Sequence, residues 1–207
     1  MSKSISTQLK SLNIISGEKT INVFDKLFKN ILKKKILSSS GFINTSWKQF
    51  KGSSAYDSKN YSLNGNVFEG LLAALFYRVG IYPLFRQAKM AFIPNVEFDF
   101  VAYSKEIGPI VLSAKTSLRE RYKQADLEGI MMRQVHRRAK SYLLTLDEEE
   151  ARNVNNKIRE GKVLGLDRVY VASEPEFDDL VEELKGFSLV EPPAEPVVES
   201  RRIIRPS

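Results

Sequence analysis

Two carboxylates and one lysine are the first residues of this sequence whose types and spacing suit catalysis. Asp99 lies in the alternating segment 96–103, and Lys115 follows the apolar run 110–114. Side chains two residues apart share one face of a strand, so pairing of these segments as a hairpin would bring Asp99 and Lys115 together at one end of a sheet. Glu69 lies on the first turn of a preceding apolar helix, where the helix dipole favours a carboxylate, and it can reach the same cleft.

The composition excludes several other chemistries. The chain has no cysteine, which removes thiol catalysis, disulfides and cysteine-rich zinc sites. Its single histidine, His136, lies in a basic run and cannot form an imidazole-rich metal site within one chain. An enzyme built from this sequence must therefore use carboxylates, lysine and hydroxyl groups, with or without a metal ion.

The charge of the chain points to an anionic partner. The net charge is +7, and Lys and Arg concentrate in segments 26–35 and 119–140, while the acids gather later in the chain. Such a distribution favours one side that faces a polyanion. Solvated faces of ordinary helices would explain the same pattern, so both interpretations stay open.

The elements that must position these residues follow a mixed α/β order. The 207 residues suffice for one core, and we expect a single domain over 1–186, with a basic helical part at 1–60, a core at 61–186 and a proline-rich tail at 187–207. The periodicity predicts helices over 21–37, 66–79, 117–146 and 176–184. It predicts a loop over 51–64, an extended segment over 81–93, and strands over 96–103, 110–114 and 168–172.

The three candidate residues resemble the PD-(D/E)xK nuclease fold. In that fold a helix Glu, a strand Asp and an acid-x-Lys hold magnesium and a water against a phosphodiester. The resemblance implies a central mixed β-sheet flanked by helices, with Mg²⁺ as cofactor and double-stranded DNA as partner. In this chain Ser113 stands at the position of the acid, and the usual Pro-Asp is replaced by Pro94-Asn95.

The serine narrows the resemblance to type II restriction endonucleases of the EcoRII/PspGI/NgoMIV-like subgroup. These enzymes have Ser or Cys there and take the missing carboxylate from the next helix, thirteen residues after the lysine, which is Glu128 here. The resemblance therefore implies Asp99 and Glu128 as metal ligands, Lys115 as the residue that activates water, and Glu69 as a support of the site. Glu97 is the alternative to Asp99 as a metal ligand. We favour Asp99 because it lies closer to the end of the strand.

The segment Arg119-Glu120-Arg121 matches a second feature of that subgroup, an Arg-acid-Arg motif that reads bases. Guanidinium groups fit guanine O6 and N7, and a carboxylate accepts from cytosine N4. The alternative interpretation is a helix capping box from Ser117 to Glu120. Both functions can hold at once.

The resemblance implies a homodimer that cuts duplex DNA at a site with CC and GG half-sites, CCNGG favoured and CCWGG next, with extrusion of the central bases. Trp47 is a candidate platform for an extruded base, and a core role is the alternative. A catalytically inactive DNA-binding protein and a less specific repair or junction nuclease are the competing functions. No apolar run is long enough for a membrane helix, so we expect a cytoplasmic protein without membrane contact.

Overall fold

The computed structural model describes residues 5–90, 93 and 95–193, and the backbone of 201–203. The helices are α1 Ile5–Ser11, α2 Glu18–Leu27, α3 Ser39–Lys51, α4 Tyr61–Val79, α5 Arg121–Val135, α6 Glu148–Arg159 and α7 Glu176–Gly186. The strands are β1 Leu84–Ala88, β2 Phe98–Ser104, β3 Gly108–Lys115, β4 Lys140–Thr145, β5 Arg168–Val171 and β6 Arg201–Ile203.

The described strands form one mixed sheet in the order β5-β4-β3-β2-β1-β6. β1, β2 and β3 are antiparallel neighbours, whereas β4 and β5 run parallel to β3. In the β2–β3 hairpin Phe100 lies opposite Leu112, so the start of β2 and the end of β3 lie at the same edge of the sheet. Asp99 and Lys115 come from these two strand ends, as the sequence predicts.

The main apolar core lies between the sheet and the helices α2, α3, α4 and α7. Its fully buried aromatic rings come from helices and from the sheet, namely Phe24, Phe50, Phe68, Phe76, Phe100 and Phe177. A separate apolar cluster joins α5 and α6 to β4 and β5 through residues that include Leu118, Ala151, Val154 and Leu143. Helices thus cover the sheet on both sides, and the predicted fold class, α/β with a central mixed sheet, is confirmed.

The predicted helix over 21–37 is wrong in both extent and end. α2 ends at Leu27, and turns follow in which Ile31 donates to the carbonyl of Phe28. Ser38, predicted to end a helix, caps the start of α3 instead, because its hydroxyl accepts from the amide of Gly41. Asp178 of α7 accepts from the amides of Ser39 and Ser40, a long-range contact that local periodicity does not reveal.

The predicted loop over 51–64 is too long, and the predicted start of the next helix is late. α4 begins at Tyr61, and its cap is Asn60, whose side chain accepts from the amide of Leu63 at 3.2 Å. The cap predicted at Asn66 lies inside the helix. Glu69 therefore lies two turns into α4 and not on its first turn, so the dipole argument for its carboxylate does not apply.

The long helix predicted over 117–146 is also wrong. α5 ends at Val135, and residues Lys140–Thr145 form β4, which lies between β3 and β5. The buried apolar residues of this strand, Tyr142, Leu143 and Leu144, are too few to show a period that separates a strand from a helix, and pairing with both neighbours decided the outcome.

The start and end of the predicted tail contact the sheet. Leu189 bridges Ser104, the amide of Val190 donates to Tyr103, and residues 201–203 pair with β1 as β6. Residues 194–200 and 204–207 of the tail lie outside the described residues, as do residues 1–4, and Ala91, Phe92 and Pro94 in or beside the predicted extended segment 81–93. No helix in the described part of the chain is long and apolar enough to cross a membrane.

Candidate active site

The centre of the candidate site is the contact between Asp99 and Lys115. The carboxylate of Asp99 accepts from Nζ of Lys115 at 2.8 Å and from the amide of Ala114 at 2.7 Å. Both side chains are mostly buried, with 16% of Asp99 and 22% of Lys115 exposed. Glu97, the rival carboxylate, is exposed just before β2. The structure therefore brings together the favoured pair.

The charge of Lys115 is maintained by the acids around it. Burial opposes the ammonium form, but the hydrogen bond and charge of Asp99, with the charges of Glu69 and Glu128, raise the pKa of Lys115 above its ordinary value. A lysine with a raised pKa is protonated near neutral pH. Lys115 can thus stabilise a developing hydroxide by its positive charge, whereas it is poorly placed to accept a proton.

Glu69 reaches this cluster from α4 through a residue that the sequence analysis missed. Nη2 of Arg86 on β1 lies 3.4 Å from the carboxylate of Glu69, and both side chains are mostly buried. Nη1 of Arg86 also donates to the carbonyls of Asn13 and Ile14, which ties the α1–α2 turn to the site. An arginine within the apolar segment of β1 was the available signal, because a buried guanidinium needs partners.

The protonation of Glu69 is strongly shifted. Burial, followed by the negative charge of Asp99, raises the pKa of Glu69 to about 7, although Arg86 and Lys115 act in the opposite direction. The carboxylate is therefore near the midpoint of its titration at neutral pH. Added positive charge in this cluster would favour its ionised form.

Glu128 completes the cluster from α5. It is buried, and Nε2 of Gln124 donates to one of its oxygens at 2.8 Å. Burial raises the pKa of Glu128, and the charges of Lys115 and Asp99 act on it in opposite directions. Asp99 and Lys115 thus interact electrostatically with both Glu69 and Glu128.

The position of Glu128 depends on a close approach of α5 to the segment before β5. A side chain at Gly129 would overlap the backbone of Gly165, and one at Gly165 would overlap the carbonyl of Asp126. The carboxylate of Asp126 also accepts from the amides of Leu164 at 2.9 Å and Gly165 at 2.5 Å. This packing fixes the turn of α5 that carries Glu128.

The donor set fits a hard divalent cation. Mg²⁺ commonly binds one or two protein carboxylates and keeps several waters, and Asp99 and Glu128 offer this number. Burial raises the pKa of Glu69 and Glu128, which means that their ionised forms are destabilised. A bound cation would offset this cost. Among the described residues no group of three or more acidic or histidine side chains forms a ready-made metal site.

The three residues of the Arg-Glu-Arg segment are exposed beside this cluster. Arg119 lies in the β3–α5 loop with a left-handed φ of 39°, and α5 begins at Arg121. The predicted capping box is wrong, because the helix cap at Glu120 makes no side-chain bond and Glu120 pairs instead with Lys123. The guanidinium of Arg121 lies 5.9 Å from the ring centre of Tyr61, the first residue of α4.

Trp47 lies in α3, among the polar residues of that helix. Its ring packs in α3 against Phe50, Tyr56 and Phe68, with centroid distances between 5.3 and 6.4 Å. The indole is only partly buried. The structure therefore places Trp47 at the edge of the main core.

The lysines of segment 26–35 line a surface cleft of about 760 Å³ between the end of α2 and α3. Its rim includes Lys26, Lys29, Lys33 and Lys34, and all four side chains are exposed. Arg78 at the end of α4 donates to the carbonyl of Ile31 at 3.1 Å and fixes this segment on the helical layer. The cleft is an anion-attracting surface separate from the catalytic cluster.

Comparison with solved structures places these observations in a known architecture. The chain is similar to a structure described as "Restriction endonuclease PspGI-substrate DNA complex", with a TM-score of 0.53 and 18% sequence identity, over 87% of this chain and 83% of that chain. No protein-family model matches the chain, and no curated protein matches it. The mixed sheet, its flanking helices and this similarity show that the chain has a restriction-endonuclease-like α/β fold.

Proposed function

We propose that this protein is a type II restriction endonuclease, a homodimer that hydrolyses both strands of duplex DNA in a Mg²⁺-dependent reaction. The observation that carries the proposal is the convergence of Asp99, Lys115, Glu69 and Glu128 at the sheet edge next to the exposed Arg119–Arg121 segment. The solved structure to which the chain is similar is described as a restriction endonuclease with its substrate DNA.

The reaction class follows from the donor set. Asp99 and Glu128 would hold Mg²⁺, which when bound supplies positive charge to the scissile phosphate and to the attacking water. Water adds its oxygen to phosphorus, the phosphodiester P–O bond breaks, and a proton ends on the leaving oxygen. Lys115 lowers the cost of hydroxide formation through its positive charge, and Glu69, held by Arg86, supports the acidic cluster.

The specificity proposal rests on the three exposed side chains of the Arg-Glu-Arg segment. Two guanidinium groups and a carboxylate are the donors and acceptor that suit a G-G/C-C half-site in the major groove. We favour CCNGG as the site and CCWGG next, with extrusion of the central bases. Truncation of Arg119 or Arg121 should each cost about 1 to 3 kcal/mol of discrimination, as for a bidentate guanine contact.

A homodimer is part of the proposal because one such centre cuts one strand. Leu127, Met131 and Val135 follow each other at helical spacing on α5, and all three side chains are exposed, Leu127 to 62%. Exposed apolar stripes are typical of association surfaces. Sedimentation of the wild type and of Leu127→Glu tests self-association directly.

A specific observation also favours a second function. Ser113, which is buried, stands where the fold usually has an acid, and this supports a catalytically inactive DNA-binding protein. A plasmid digest with Mg²⁺ followed by sequencing of the ends separates the functions. Discrete bands support the restriction enzyme, absence of cutting supports the DNA-binding protein, and unspecific or structure-selective cutting indicates a repair or junction nuclease.

Two variants, one at Lys115 and one at Asp99, make this digest specific to the candidate site. Lys115→Ala and Asp99→Ala should abolish cleavage while DNA binding is largely kept, and Ser113→Ala should be mild because the hydroxyl is no ligand in this scheme. Lys105→Ala is the matched control, since Lys105 is an exposed lysine at the opposite end of the same hairpin. Cleavage at the wild-type rate by Lys115→Ala would refute the assignment.

A further inference from the structure

The loop that carries Arg119 is held by a carboxylate from a different element. Glu150 lies on the first turn of α6, beyond β4 in the chain. Its Oε2 accepts from the amide of Leu118 at 2.5 Å, and its Oε1 accepts from the amide of Arg119 at 2.8 Å. Both carboxylate oxygens thus bind consecutive amides of the β3–α5 loop.

These two bonds act on a backbone that is strained at one residue. Arg119 has a φ of 39°, in the left-handed region that side chains other than glycine rarely occupy. A bond from a backbone amide to an ionised carboxylate is stronger than one between neutral groups. The contact with Glu150 can therefore hold the left-handed turn, which sets the direction in which the Arg119 side chain leaves the backbone.

The apolar packing around the loop holds the same two partners together. Leu118 is fully buried and lies in one cluster with Ala151 and Val154 of α6. Asp147 caps α6 by accepting from the amide of Glu150 at 3.0 Å, so the residue that binds the loop lies on a well-formed helix end. The loop is thus anchored on its buried side, and Arg119 and Glu120 project on its exposed side.

We propose that Glu150 is a specificity-determining positioning residue, which fixes the Leu118–Arg119 backbone so that Arg119 meets a base edge in one orientation. This inference rests on the proposed base reading by the Arg-Glu-Arg segment. Glu150 touches no base in this scheme. Its removal takes away no side chain that is proposed to contact DNA and changes the orientation of Arg119.

The test compares Glu150→Ala and Glu150→Gln with Glu149→Ala. Glu149 is an exposed neighbour on the same first turn, so its loss changes the helix-end charge equally without touching the loop. Affinity is measured without divalent metal for a duplex that contains CCNGG and for one in which GG is replaced by AA. Hydrogen exchange of the Leu118 and Arg119 amides is measured on the free proteins.

Glu150→Ala should lower the discrimination between the two duplexes by about tenfold, the scale of one misplaced base contact, while affinity for the altered duplex stays nearly constant. The amides of Leu118 and Arg119 should exchange faster in this variant than in the wild type. Glu150→Gln, which keeps one acceptor oxygen and the side-chain volume, should be intermediate and guards against misfolding of the alanine variant. Glu149→Ala should match the wild type.

Two results would overturn the inference. If the wild type discriminates between the duplexes and both Glu150 variants discriminate equally well, the contact of Glu150 with the β3–α5 loop does not serve base reading. Equal loss of affinity for both duplexes would show a merely structural role. If the wild type itself does not discriminate between the duplexes, base reading by this segment is wrong, and the role of Glu150 in it fails for that separate reason.

Discussion

Replacing Glu69 by glutamine should remove a specific pH dependence of stability. Burial and the charge of Asp99 raise the pKa of this carboxyl from 4.5 to about 7. The folded state thus holds the proton more tightly than the unfolded state does. The stability from this group is fully present below about pH 4.5 and is lost as the pH rises to about 7, because the unfolded carboxyl ionises over this range while the buried one keeps its proton.

The magnitude follows from the two pKa values. One pKa unit corresponds to about 1.4 kcal/mol, so the full loss is at most about 3 kcal/mol. Most of this loss of stability, about 2 to 3 kcal/mol, occurs between about pH 5 and about pH 8. Glutamine stays neutral throughout. The stability of Glu69→Gln relative to the wild type should therefore rise by this amount between the two pH values.

The assay is urea unfolding of both proteins at the two pH values with a chelator present. Arg86 should keep its bonds to the carbonyls of Asn13 and Ile14 in the variant. Its attraction to the ionised Glu69 lowers the pKa of Glu69 and is already included in the value of about 7. Glu97→Gln is the matched control, since Glu97 is an exposed acid two residues before Asp99.

A stability difference that does not depend on pH would refute the reasoning, because burial would then not control Glu69. A difference that falls as the pH rises would show that attraction to Arg86 exceeds the effect of burial.

Three further predictions concern DNA. Tyr61→Ala should weaken discrimination by removing the ring beside Arg121, whereas Tyr61→Phe should keep it, and competition binding with altered duplexes measures both. The double variant Lys33→Ala/Lys34→Ala should weaken binding to all sequences alike and lower the slope of affinity against salt if the cleft contacts DNA; an unchanged slope would exclude it. If central bases are extruded, the fluorescence of 2-aminopurine at the centre of CCNGG should rise on binding to the wild type. A Trp47→Ala variant that still binds DNA should show a weaker signal only if the indole is the platform.

Local sequence information determined the part of the site that comes from the hairpin. Asp99 and Lys115 lie at the open end of a hairpin whose other end is closed by a short turn, so their proximity follows from the antiparallel pairing of two neighbouring strands. The offset between Lys115 and Glu128 is likewise a property of the chain, and helical spacing within α5 fixes Glu128 relative to Gln124. These relations within the hairpin and within α5 follow from local geometry and do not depend on segments distant in sequence.

Only the tertiary structure decided which residues, distant in sequence, contact Glu69 and Arg119. Arg86 becomes the partner of Glu69, and Glu150 becomes the clamp of Arg119, because helices and strands far apart in sequence pack side by side. The same reason explains the errors at β4 and at Ser38. Pairing with two strands replaced the expected helix at β4, and the start of α3 after Ser38 is held by the amides of Ser39 and Ser40, which donate to Asp178. Buried charges and strained backbone persist only when remote groups satisfy them, and periodicity carries no information about those groups.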